Sequence, residues 1–324
     1  MVSLEDIRQP VSAEMKEFNA RFKKEASSNI PLLNVVTRYI LRRKGKQMRP
    51  LFVFLSSRLN GKITESTYTA ASLVELMHTA TLVHDDVVDE SNERRGAFSI
   101  NAIWKSKVAV LFGDYLLAKG LQLAVEKKEY DLLEIVSNTS REMSEGELLQ
   151  LQKSRSLNID MDTYYEVIRK KTASLIASCT ASGAKAAGAS DEAVKRVHQM
   201  GIEIGMAFQI KDDLFDYQSH GLIGKPTGND IKEKKFTLPL IYALNQAEAG
   251  KRKAMIRKIK NGSRSQRVVN EVVQFVQDMG GIEFARSKMN EYKSNAMEIL
   301  HSFPESPSRD SLRDLVEYTV TRKK

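Results

Sequence analysis

Proline is missing from Leu51 to Lys225, more than half of a chain of 324 residues. The seven prolines stand at 10, 31, 50, 226, 239, 304 and 307. Loop-rich and strand-rich chains rarely run so far without one. Long helices do, because an interior proline costs a helix about 3 kcal/mol. Hydrophobic periodicity points the same way. Leu73, Leu76, Met77, Ala80, Val83, Val87 and Val88 recur at three-and-four spacing, as do Ile202, Met206, Ile210, Leu214 and Tyr217. Two-residue alternation is scarce, and the expected fold class is all-α.

No Gly-, Ser- or Pro-rich linker divides the chain, so one domain over 1–324 is expected. Loops are expected at GKQMRP (45–50), SNERRG (91–96), SHGLIGKPTGND (219–230) and KNGSRSQ (260–266). The run from Ala173 to Ala189 is rich in Ala, Ser and Gly and predicts closely packed helices. The only cysteine, Cys179, excludes an intrachain disulfide and multi-cysteine zinc sites, which fits a cytoplasmic protein. The first residues mix acids and bases without an apolar segment, so neither a signal peptide nor an anchor is expected. No spanning helix is expected either, for want of a long apolar run.

Fifty Lys and Arg face 41 Asp and Glu, a net charge of +9 that favours anionic partners without choosing among them. The segment 251–267 carries eight basic residues and no acid. It reads as a solvated helix face. It lacks the interleaved aromatics of many single-strand binders, and nucleic acid is not an expected partner.

The acids are more informative. Asp85, Asp86 and Asp89 form one D-D-x-x-D motif, and Asp212, Asp213 and Asp216 form a second, more than a third of the chain away. Residues three and four apart share a helix face. Both motifs end apolar helical stretches, where the helix dipole disfavours negative charge. Carboxylates gathered there call for a cation. The donors are hard oxygens, which suits magnesium, an ion that keeps its waters and bridges carboxylates to phosphate. Possible phosphate partners lie close in sequence: His78 and Gln209 on the motif helices, Arg94 and Arg95 after the first motif, and Lys46 and Arg49 in GKQMRP. Lys171, Thr172 and Lys225 add further cations and a hydroxyl.

The signatures HTATLVHDDVVDESNERRG (78–96) and GMAFQIKDDLFDYQSHGLIGKPTGNDIKEKKFTLPL (205–240) resemble the trans (E) isoprenyl diphosphate synthases, most closely the long-chain, octaprenyl-like type. GKQMRP, FGDYLLAKG (112–120) and Lys171-Thr172 fit as well. The resemblance implies an isoprenoid synthase helical bundle with a central cavity, usually a homodimer, with three magnesium ions held between the aspartate motifs. Asp85, Asp89 and Asp212 would be the main metal ligands, and Asp86, Asp213 and Asp216 would complete or orient the shell. Arg94, Lys171, Thr172, Gln209, Lys225 and Lys235 would hold the allylic diphosphate. Lys46, Arg49, His78 and Arg95 would bind isopentenyl diphosphate. Two departures stand out: Gln47 replaces a residue that is basic in many relatives, and Lys234 replaces a frequent glycine, leaving Lys234 and Lys235 as alternative phosphate contacts.

The implied reaction is a head-to-tail condensation of isopentenyl diphosphate with an allylic prenyl diphosphate. Product length should follow the cavity below the first motif. Ala80 and Thr81, five and four residues before Asp85, are small where short-chain enzymes often carry bulk. Both are expected to point one turn down from Asp85 and leave a tunnel open for a long product. Small residues there equally suit helix packing. A short-chain farnesyl or geranylgeranyl diphosphate synthase and a non-catalytic subunit of a heteromeric synthase are the alternatives. A terpene cyclase fits less well, since the second motif is intact. Peripheral membrane contact for product release is a further expectation.

Overall fold

A computed structural model describes residues 3–42, 45–94, 96–156, 160–217 and 228–322. Among them the chain runs through α1 (Leu4–Arg8), a 3-10 turn (Gln9–Val11), α2 (Ser12–Glu25), α3 (Pro31–Arg42), α4 (Met48–Asn60) and α5 (Glu65–Val88). A hairpin follows, β1 (Glu93–Arg94) with β2 (Ala97–Phe98). Next come α6 (Ile100–Glu126), α7 (Tyr130–Ser156), α8 (Met161–Ile168), a π turn (Arg169–Ala173), α9 (Ser174–Ala186) and α10 (Asp191–Phe215). The remainder is α11 (Asn229–Lys232), α12 (Leu238–Gln246), α13 (Ala249–Gly262), α14 (Gln266–Asp278), α15 (Gly281–His301) and α16 (Pro307–Thr321). The fold is all-α, and the hairpin is the only sheet among the described residues.

The chain forms two compact units. The first comprises Met1–Ser140, Leu175–Gly201 and Ile299–Leu315. It is built on α5, which packs against α4 and most extensively against α6. Helix α4 is apolar from Leu51 to Leu55 and buried on every side, as a central helix must be. A reciprocal capping box starts α5: Thr64 Oγ1 accepts from the Thr67 N–H, and Thr67 Oγ1 from the Thr64 N–H. Glycine allows the close approach of α6, since a Cβ on Gly113 would collide with the His84 ring. The small residues of α9 act likewise. A Cβ on Gly183 would lie 2.2 Å from the Val53 carbonyl oxygen, so the close packing predicted for 173–189 is observed.

The second unit comprises Arg141–Ser174, Ile202–Glu298 and Val316–Lys324. Its core includes Ile204, Ile210, Leu214, Tyr217, Leu238, Leu240, Val272 and Val276. Tyr242 stacks on Phe284 with ring centroids 4.1 Å apart.

Several expectations need correction. Helix α4 already begins at Met48, so only 45–47 of GKQMRP is irregular. Within SNERRG, Glu93 and Arg94 form β1 rather than loop, and Arg95 lies outside the described residues. Helix α13 runs on to Gly262, and the turn is confined to 263–265. Of 219–230, residues 219–227 lie outside the described residues, and Asn229 opens α11. Contrary to expectation, α6 is long and apolar enough to cross a membrane by length and composition, and only a third of the qualifying window is buried. Its apolar residues serve two faces, one packed on α5 and one exposed.

Candidate active site

In the first unit the aspartates occupy the last turn of α5. Asp85 is half-buried, and Asp89, the C-cap, is exposed. Four residues apart, they project from one face of the helix. Asp86 points elsewhere. It is buried, and the Arg94 Nε donates to its Oδ1 at 2.6 Å. Burial raises the Asp86 carboxyl above its usual range, and the Arg94 hydrogen bond works against that. The hairpin supplies Arg94: Arg94 pairs with Ala97 across the strands, and Gly96 takes the left-handed φ of 71° that closes so short a turn. An apolar cavity of about 70 Å³ lies beside the pair, lined by Thr79, Leu82, Val83 and Ile100 together with Asp86 and Arg94.

His78 is buried two turns before Asp85, at a spacing that puts it on the same face. Arg49 is half-buried in the first turn of α4, and Lys46 is exposed, its carbonyl accepting from Arg8. Gln47 has a left-handed φ of 44°, and its Nε2 donates to Asn19 Oδ1 at 2.8 Å. The residue that departs from the expected basic pattern is thus tied to α2. Arg95 and Lys225 lie outside the described residues.

Ala80 and Thr81 do not share a direction. Thr81 sits one turn before Asp85 on its face, with its hydroxyl donating to the His78 carbonyl at 2.9 Å. Ala80 is fully buried. It falls in line with Leu73 and His84, the residues that meet Gly120 and Gly113 of α6. By helical register Thr81 lies on the Asp85 face, and Ala80 is turned away from it. Five residues turn a helix by 140° beyond a full turn, which offsets Ala80 from Asp85 toward the Leu73–His84 register.

The second unit brings most of its predicted residues together. Lys171, Thr172, Gln209, Asp213 and Lys235 line one cavity of about 150 Å³, with Gln150, Tyr164 and Asp230. Thr172 Oγ1 donates to Gln209 Oε1 at 2.8 Å, and Gln209 Nε2 donates to Asp213 Oδ1 at 2.8 Å. The Tyr164 hydroxyl donates to Asp213 Oδ2 at 2.6 Å. Both Asp213 oxygens are thus engaged by protein donors. Burial pushes this carboxyl well up, the Asp230 charge adds to the effect, and the two hydrogen bonds oppose it. Asp230 is pushed up to about 7, by burial first and then by Asp216, with Lys235 opposing. Asp216 Oδ2 accepts from the Asp230 N–H at 2.6 Å. Lys171 pairs with Glu147, and Lys235 with Glu233. Lys234 has a left-handed φ of 59°, which is why glycine suits that position, and it is Lys235 that reaches the cavity.

Asp212, half-buried in the last turn of α10, forms an ion pair with Arg322. The guanidinium also lies over the rings of Phe208 and Phe215, 4.2 and 5.7 Å from their centroids. Tyr164, Gln150, Asp230 and Arg322 escaped sequence reasoning. Tyr164 was recoverable, because it precedes Lys171 by seven residues and so lies two turns back on one face.

The donor set fits magnesium. Each motif offers carboxylate oxygens at a helix C-terminus, where a cation is favoured. No three metal-ligating side chains converge on one point among the described residues. An ion that keeps several waters and bridges one or two carboxylates to a phosphate needs no such cage.

Residues 30–276 match the family model described as polyprenyl synthetase. The chain is 34% identical over 320 residues to the all-trans-nonaprenyl-diphosphate synthase (geranyl-diphosphate specific) of Rhodobacter capsulatus, with 98% of each chain covered. The structure of a decaprenyl diphosphate synthase from the same organism superposes with a TM-score of 0.94 at 34% identity, covering 99% of this chain and 100% of that one. A geranylgeranyl pyrophosphate synthase structure from Bacteroides thetaiotaomicron gives 0.84 at 39% identity, with 98% of both chains covered. With its two aspartate-terminated helices and a match over most of its length, the chain belongs to the polyprenyl synthetase family.

Proposed function

We propose that the chain condenses isopentenyl diphosphate head to tail with an allylic prenyl diphosphate and repeats the step to a long all-trans polyprenyl diphosphate. The observation that carries the reading is the second-unit cavity, which Lys171, Thr172, Gln209 and Lys235 line together with the buried Asp213 of the second aspartate motif. Such a site holds a diphosphate by its oxygens and leaves the hydrocarbon to apolar walls.

Asp85, Asp89 and Asp212 are the proposed principal metal ligands for three magnesium ions, and Asp216 is a proposed further one. When bound, the ions neutralise charge that develops on the departing diphosphate. Asp86 and Asp213 act as braces, each hydrogen-bonded to a neighbour that fixes its motif. Lys171, Thr172, Lys225 and Lys235 orient the allylic diphosphate. Lys46, Arg49, His78 and Arg95 are the proposed isopentenyl diphosphate contacts, and Arg94 steadies the first motif beside them.

As the allylic C–O bond breaks, its electron pair leaves with the diphosphate. The cations around the cavity stabilise that charge more in the transition state than in the ground state. The isopentenyl double bond supplies the electrons of the new C–C bond, and a proton passes from the adjacent carbon to the released diphosphate. The apolar surroundings exclude water, which would otherwise capture the allylic cation.

A homodimer joined through the exposed apolar face of α6 and a peripheral membrane contact for product release complete the proposal. The test is incubation with magnesium, farnesyl diphosphate and excess isopentenyl diphosphate, followed by mass analysis. The expected result is one dominant product longer than geranylgeranyl diphosphate. A product ending at geranylgeranyl diphosphate would move the chain to the short-chain reading. No product from any allylic primer would move it to a non-catalytic subunit.

A further inference from the structure

The π turn at Arg169–Ala173 carries Lys171 and Thr172. Such turns are rare, and α-helical backbone with one extra residue per turn is unstable without external support. Here the Ser174 N–H reaches back to the Arg169 carbonyl, the bond that defines the widened turn. Two helices press their bare backbones on it from different elements. A Cβ on Gly146 of α7 would lie 2.9 Å from Lys170 Cβ and 3.0 Å from the Lys171 nitrogen. A Cβ on Gly205 of α10 would lie 2.3 Å from Ala173 Cα. The first contact grips the turn at its centre, the second at its end.

The flanking side chains make these contacts functional. Gly146 stands between Glu145 and Glu147, which pair with Lys170 and Lys171 respectively. One turn beyond Gly205, Gln209 accepts from Thr172 and donates to Asp213. A shift of a few tenths of an ångström at either glycine is therefore transmitted to Lys171 or to Thr172. Oriented diphosphate contacts are sensitive to displacements of that size.

We propose that Gly146 and Gly205 are positioning residues: they clamp the π turn so that Lys171 and Thr172 present the allylic diphosphate contacts in register. The inference rests on the proposed role of Lys171. The glycines touch no substrate and act only through the turn.

The experiment compares Gly146→Ala, Gly205→Ala and Lys171→Ala with Gly201→Ala by steady-state kinetics, varying each diphosphate separately, and by thermal unfolding. Gly201 is the control, because its Cβ would lie 2.5 Å from Ala177 Cα, a contact between the other two in closeness and made with α9 instead of the π turn. The expected result for Gly146→Ala is an allylic KM raised at least fivefold with the isopentenyl KM within twofold of wild type. Gly201→Ala should lower the unfolding temperature without separating the two KM values. Gly205→Ala should match Gly146→Ala. If its tighter clash prevents folding, Gly146→Ala decides alone. An unchanged allylic KM in Gly146→Ala, or the same KM split in Gly201→Ala, overturns the clamp while Lys171→Ala still raises the allylic KM. An unchanged allylic KM in Lys171→Ala overturns the diphosphate reading of the turn itself, and the clamp with it.

Discussion

Lys234 holds a backbone conformation that its side chain disfavours. A left-handed residue with a Cβ costs about 1–2 kcal/mol, and glycine avoids that cost while losing roughly 0.5–1 kcal/mol of unfolded-state entropy. Lys234→Gly is therefore expected to stabilise the chain by about 0.5–1 kcal/mol in denaturant unfolding, with little effect on turnover, because it is Lys235 that lines the cavity. A loss of activity would mean that the Lys234 ammonium contacts substrate. Tyr164 makes the opposite case. Its hydroxyl is one of two donors to a buried carboxylate, and a hydrogen bond to a charged group contributes about 1.5–3 kcal/mol. Tyr164→Phe should lose stability of that order by the same measurement. It should also lower kcat, because Asp213 then braces the second motif through Gln209 alone. A variant as stable as wild type would show that water replaces the phenol. Neither residue carries a motif of its own, and each matters through the backbone or the partner it was given.

At the scale of elements, the sequence disclosed helices and their acidic ends but not the contacts that divide the aspartates into roles. Spacing put Asp85 and Asp89 on one face, and they are there. It was silent on Asp86 and Asp213, because a partner such as Arg94 on a hairpin or Tyr164 on another helix depends on tertiary packing. The same gap separates Ala80 from Thr81. Both are small, but only Thr81 shares the Asp85 face, while Ala80 is fully buried in register with Leu73 and His84. Thr81→Phe is accordingly expected to shorten the dominant product. Ala80→Phe should overpack its buried site, at a cost of about 1–3 kcal/mol, visible as a lower unfolding temperature. Mass analysis of products from both variants separates the faces. A stable Ala80→Phe enzyme with a shortened product would put Ala80 on the product side after all. The residue that follows the C-terminal helix adds a contact that sequence spacing could not reveal. Arg322 pairs with Asp212 Oδ1, and so competes with a cation for that proposed metal ligand. Removing an ion pair of about 1 kcal/mol shifts an equilibrium about fivefold. Arg322→Gln should lower the half-saturating magnesium concentration by that factor in initial-rate measurements. An unchanged or raised requirement would assign Arg322 to the substrate instead.

For the molecule as a whole, charge and exposed apolar surface lead in different directions. The net charge of +9 coexists with acidic helix ends, so the positive excess lies elsewhere, including α13, where Lys253, Arg257 and Lys260 recur on the exposed face. That face repels a second copy of the chain. Helix α6 does not: Val110, Leu121 and Val125 recur along one side of it and are 40%, 53% and 52% exposed. The opposite side, with Phe112, Leu116 and Leu123, is buried within the first unit. A helix apolar on two faces needs a second partner, and a contiguous exposed patch of this kind marks an association surface. The partner proposed is the same helix of a second copy, because a self-complementary apolar stripe closes most simply about a two-fold axis. Light scattering on the purified protein at micromolar concentration should give twice the chain mass. Leu121→Glu with Val125→Glu, which place charges on the stripe without touching the buried side, should give the chain mass once. A monomeric wild type, or a dimer that survives both glutamates, would remove α6 from the interface and leave its outer face to another apolar surface, the membrane included.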